Sequence, residues 1–137
     1  MPQAIIYATV SISWGLMILI WMVQLIVYPG FFRISDRAFK SYHRWYTPRI
    51  TVIVAPLMLA EACCAILWLM HDASLKSILL ILLPVVIVWL STFALQVPIH
   101  SRLQKHASRK LVRKLVLTNW IRTAAWSVKA LGVWLVV

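Results

Sequence analysis

Gln96–Trp126, QVPIHSRLQKHASRKLVRKLVLTNWIRTAAW, carries polar side chains into two apolar segments joined by a basic connection. It brings a polar pair, Gln96 and His100, out of one apolar segment. It then crosses a short basic connection and places Asn119 and Arg122 inside the next apolar segment. A soluble helix hides its apolar stripe and shows its charges, whereas here charges enter segments otherwise suited to lipid. Asn119, Arg122, Trp126 and Lys129 fall at steps of three, four and three, which puts them on one helix face. Beside them, Thr123 and Ser127 are small residues four apart, the spacing that lets helices approach closely.

The rest of the chain supports a membrane protein. At 137 residues it has room for a single domain, 1–137. Only 12% of residues are charged, mean hydropathy is +0.88, and the apolar blocks are long enough to cross hydrocarbon. The net charge of +11 does not read as a nucleic-acid surface. Arg33, Arg37, Lys40, Arg44 and Arg49 lie in or beside one connection, and Arg102, Lys105, Arg109, Lys110, Arg113 and Lys114 in another. Cations gathered in this way face anionic headgroups on the cytoplasmic side. The expected fold is all-α: a polytopic four-helix membrane bundle of two helical hairpins. Its helices are predicted over about 4–27, 49–70, 77–99 and 113–136, with basic cytoplasmic loops over 29–48 and 101–112. Both termini then lie outside the cytoplasm, in a cell's inner (cytoplasmic) membrane. The chain leaves open a homo-oligomer or a larger membrane complex.

Along the first helix, Trp14, Met17, Trp21, Gln24 and Tyr28 share a face, and Gln24 is the member that needs a hydrogen-bond partner. Pro29-Gly30 is expected to stop this helix. In the first basic connection, Ser35 suits the N-cap of a short interfacial helix over Asp36–Tyr46, and His43 falls within it. Pro48 is placed in the first turn of the second helix, with kinks expected at Pro56 and Pro84. Cys63 and Cys64 read as small residues at a helix contact, and His71-Asp72 as a helix end followed by a turn. Pro98 frees a carbonyl beside Gln96, so polar groups converge near His100.

Glu61 stands roughly 18 Å along the second helix from Arg49, deep in an apolar segment. A carboxyl there costs at least a few kcal/mol unless it is protonated or paired. Side chains on the second and fourth helices lean toward their N-termini, which predicts a Glu61–Arg122 ion pair with Gln96, His100 and Asn119 around it. Arg122 and Lys129 are each also long enough to snorkel to opposite interfaces. The cluster reads either as a site or as a structural clamp.

Val97–Leu103, V-P-x-x-x-x-L, followed by Trp120 and Arg122 as W-x-R in a small four-helix plan, resembles the anthrone-oxygenase-like membrane proteins. The resemblance covers mainly Gln96–Trp126. It implies oxygenation of a polycyclic aromatic substrate without an obvious cofactor, and hence an aromatic or quinone-like molecule among the helices. On that reading His100, Arg122, Asn119 and Glu61 are the catalytic candidates: His100 is the base, Arg122 and Asn119 stabilise oxyanion charge, and Glu61 tunes the pocket. Gln24, Gln96, Trp126 and His43 are the ligand-binding candidates. No metal-binding motif is present, and the cofactor is unknown from the sequence. Two readings compete with this one: a non-enzymatic accessory subunit of a membrane complex, and a proton relay that titrates Glu61.

Overall fold

A computed structural model describes residues 1–137, which form four long helices and no strand. They are α1, Gln3–Arg33; α2, Asp36–His71; α3, Leu75–Lys105; and α4, Arg109–Gly132. A 3-10 turn, Val133–Leu135, continues α4. Connections of two or three residues join them. α1, α2 and α3 are each long and apolar enough to cross a membrane.

The helices outrun the predicted spans because prolines widen them instead of ending them. α1 passes through Pro29-Gly30 to Arg33, which corrects the expected stop. A proline cannot donate to the carbonyl four residues back and clashes with it. In three places the helix responds with a π turn ending two residues before the proline: Val23–Val27 before Pro29, Ile78–Leu82 before Pro84, and Thr92–Gln96 before Pro98. Two of these turns contain Gln24 and Gln96. The expected interfacial helix is not separate either. α2 runs without a break from Asp36 to His71, with Pro48 and Pro56 both inside it. Ser35 does occupy its N-cap position, but the carbonyl of Ser35, and not its hydroxyl, accepts the Ala38 and Phe39 N–H groups. The Ser108 hydroxyl caps α4 through the Leu111 N–H at 3.3 Å.

α1 packs along both α2 and α4, and α3 packs along α4. α2 meets α3 mainly near their two ends, so they part in the middle. The interior holds charged and amide side chains among its apolar ones, and the exterior is largely apolar. Gln24, His43, Glu61, Gln96, Asn119, Arg122 and Lys129 are all buried, while Val52 is 74% and Met70 75% exposed. Apolar exteriors and polar interiors suit hydrocarbon as the outer solvent. α4 shows this most clearly. It is the least apolar long helix because its polar face is turned inward against α1 and α3. At its end the α-hydrogens of Gly132 face Leu80, where an added Cβ would stand 3.1 Å from the Leu80 Cβ and Cδ2.

Candidate functional site

Three polar clusters occupy the interior, and each joins helices; the third also borders a cavity. In the first, the Gln24 carboxamide accepts from Asn119 Nδ2 at 2.9 Å and from the Thr123 hydroxyl at 3.3 Å. Gln24 Nε2 donates to the Val116 carbonyl at 3.1 Å. One turn away, Trp21 Nε1 donates to Ser127 Oγ at 3.0 Å. Thr123 and Ser127 thus serve the close α1–α4 contact both by their size and by their hydroxyls.

The second cluster corrects the expected Glu61–Arg122 pair. Glu61 Oε1 accepts from Lys129 Nζ at 2.8 Å, and Glu61 Oε2 accepts from Trp126 Nε1 at 2.9 Å. Lys129 leans back toward the N-terminus of α4, as helical side chains do, and this brings its ammonium inward to the carboxylate. It does not snorkel. The Trp126 indole intervenes between the two expected partners, with the Arg122 guanidinium 5.0 Å from its ring centroid on one side and Glu61 on its N–H.

The third cluster borders a cavity of about 540 Å³ where α2 and α3 part, within the usual size range for small-molecule sites. Its body is apolar, lined by residues such as Val54, Met58 and Trp89, and it opens sideways past Leu59, Phe93 and Val97, which are all exposed. Tyr28, Tyr46, Thr47, Gln96, His100 and Arg122 supply polar groups to its wall. The Tyr28 hydroxyl lies 3.0 Å from His100 Nε2, and His100 Nδ1 lies 2.9 Å from His43 Nε2. The two imidazoles meet edge to edge, their planes 25° apart and their centroids 5.1 Å apart. Behind them Thr47 Oγ1 stands 3.5 Å from His43 Nδ1 and donates to the His43 carbonyl at 2.8 Å.

That last bond orients the whole series. The Thr47 proton goes to a carbonyl, so its 3.5 Å contact with His43 favours the tautomer with the proton on Nδ1, and the remaining donor and acceptor roles follow from that assignment. His43 Nε2 is then the acceptor for His100 Nδ1–H, and His100 Nε2 accepts from the Tyr28 hydroxyl. One direction of donation therefore runs from Tyr28 at the cavity wall to Thr47, and it leaves the Tyr28 oxygen free to accept from the side of Arg122. Lone histidines are weak site signals. This contact gives them a shared proton and a path to the cavity.

The expected site residues are thus divided. His100, Arg122 and Gln96 line the cavity, and His43 lies one hydrogen bond behind it. Gln24 with Asn119, and Glu61 with Trp126, form the other two interhelical ties. Sequence reasoning left out Tyr28, Tyr46 and Thr47. Tyr28 did carry a signal, since it shares the face of Gln24, but an aromatic at that spacing reads as packing. No protein-family model, curated protein or solved structure matches the chain.

Proposed function

We propose that the chain is a polytopic four-helix protein of a cell's inner membrane, with two helical hairpins and both termini outside the cytoplasm. In this reading it takes an apolar aromatic or quinone-like molecule from the bilayer and acts on it as an oxidoreductase- or oxygenase-like enzyme. The observation that carries the proposal is the cavity between α2 and α3, apolar in its body and polar at Tyr28, His100 and Arg122. Apolar pockets with a few convergent polar groups are the usual form of small-molecule sites. In an oxygenation of the kind the sequence resemblance implies, dioxygen would give one oxygen atom to a ring CH2, making it a carbonyl, and release the other as water, after loss of a proton from that carbon. Tyr28 and His100 would accept that proton at the wall, with His43 as the next station, and Arg122 would stabilise the oxyanion left behind. Gln24, Asn119, Glu61 and Trp126 would hold the helices that frame the cavity.

The test is purification in mild detergent, transfer to nanodiscs, and titration with a naphthoquinone and an anthrone-type phenol while absorbance and oxygen uptake are followed. Saturable binding and oxygen uptake, with uptake lost in His100→Phe, are expected. A second reading, a non-enzymatic accessory subunit, draws on the outward-facing tryptophans Trp45, Trp120 and Trp134. A protein that binds neither probe and co-purifies with a larger assembly would establish that reading instead.

A further inference from the structure

The chain has three acidic residues. Asp36 is exposed at the start of α2, 4.0 Å from Arg109. Asp72 accepts bonds from Ser74 and Ser77 at the opposite end of the helices. Glu61 is held by Lys129 and Trp126. None reaches Arg122, which is only 6% exposed and lines the cavity. Its neighbours are the face of Trp126, the Tyr28 hydroxyl, Tyr46 and His100, all without formal negative charge in their ordinary forms. Arg122 Nε has no hydrogen-bond partner. A guanidinium in hydrocarbon without an anion is costly, and proteins ordinarily supply the anion or place the group where a ligand does. Trp89 Nε1 and Thr92 Oγ1, on the same cavity wall, are also unpartnered and can donate, against one unpartnered acceptor there, Gln96 Oε1.

We infer that this cavity receives its ligand as an anion: an oxygen headgroup with one negative charge against Arg122, and an apolar body along α2 and α3. The inference rests on the proposed function and narrows its substrate class from aromatic or quinone-like molecules in general to acidic ones, already ionised at one oxygen, so that the proton Tyr28 and His100 would take comes from a carbon of the substrate. An anionic oxygen on an apolar body has two sources here, the enolate of a hydroxyquinone and the phosphate of an anionic phospholipid. Arg122 is the residue that distinguishes charged from neutral ligands, since its fixed positive charge attracts an anionic oxygen and a neutral one gains little from it.

The experiment uses the full chain in nanodiscs of zwitterionic lipid and measures binding of a hydroxynaphthoquinone, ionised at neutral pH, against the parent naphthoquinone. The ionised probe is expected to bind at least about tenfold more tightly, a preference abolished in Arg122→Gln and kept in Arg122→Lys. Adding an anionic phospholipid to the disc separates the sources. Loss of probe affinity in the wild type but not in Arg122→Gln identifies the lipid phosphate as the occupant. An unchanged affinity identifies the free acidic molecule. Equal affinity for the two quinones in the wild type overturns the inference and leaves the cavity as a ligand site. Binding of neither probe overturns the cavity reading itself. If Arg122→Gln fails to fold, the wild-type comparison alone still decides.

Discussion

Replacing Glu61 by Gln leaves the Lys129 ammonium buried with no counter-charge, its Nζ having stood 2.8 Å from Glu61 Oε1. Both residues are fully buried, so solvent cannot take over the role of the carboxylate. Removing one member of such a pair costs about 3–5 kcal/mol, since the charge left behind retains its desolvation penalty. The amide can still accept from Trp126 Nε1, which keeps the loss near the lower end, about 3 kcal/mol. That is roughly a hundredfold in the folded-to-unfolded ratio. Lys129→Met should cost less, because a carboxyl left alone in hydrocarbon can neutralise itself by taking up a proton. The double variant removes both charges and replaces the ammonium with a chain of similar shape. It should recover most of the stability, with a coupling of about 2 kcal/mol or more. Reversible unfolding in mixed micelles of mild detergent and dodecyl sulfate, read by circular dichroism, measures all three variants. If the two single losses simply add in the double variant, the pair does not exist as an energetic unit and the description of α2 against α4 is wrong.

Gly132→Val should destabilise by about 1–3 kcal/mol, since its Cβ would stand 3.1 Å from Leu80, and Leu80→Ala in the same chain should restore part of the loss in the same unfolding assay. Gln24→Leu strips the partner from Asn119 Nδ2, while the Thr123 hydroxyl keeps the Asn119 carbonyl at 3.1 Å, and a cost of about 1 kcal/mol is expected, with Asn119→Leu adding little once Gln24 is gone. At the turn after α2, the Ser77 hydroxyl and then the Ser74 N–H hold the Asp72 carboxyl below its ordinary range. A carboxylate lowered on folding stabilises the fold above its unfolded value and loses that contribution as pH falls through the folded one. The thermal midpoint should therefore fall with acidification below the usual carboxylate range in the wild type, and fall less in Asp72→Asn.

Much of the frame is legible in the residues because membrane constraints are severe. Long apolar blocks announce α1, α2 and α3. The i+3 and i+4 spacing of Asn119, Arg122, Trp126 and Lys129 marks the face of α4 that turns inward. Pro29 does not stop its helix because the lost N–H and the clash are local facts, whereas the remedy, a π turn ahead of it as ahead of Pro84 and Pro98, belongs to a helix already held by its neighbours. The partner of Glu61 was misassigned for a related reason. Rise along a helix sets depth, but two cations on one face lie within reach, and the bulk of Trp126 decides which one arrives. The cavity was not legible at all. It depends on where α2 and α3 separate, and no residue type encodes a gap. His43 and His100 lie 57 positions apart in sequence and acquire meaning only when α2 and α3 meet near one end and bring their rings together.

The most direct measurement is mass spectrometry of the small molecules retained by the purified chain, with the cavity open and with it filled. Ala55 lines the cavity and is partly exposed, away from the hydrogen-bonded series, so Ala55→Phe fills the space and leaves Tyr28, His100 and Arg122 in place. One apolar, oxygen-bearing molecule is expected at near-equal stoichiometry in the wild type, with its loss in Ala55→Phe while helicity and cooperative unfolding are kept. A wild-type chain that retains no such molecule, or retention that Ala55→Phe does not alter, would contradict the cavity reading.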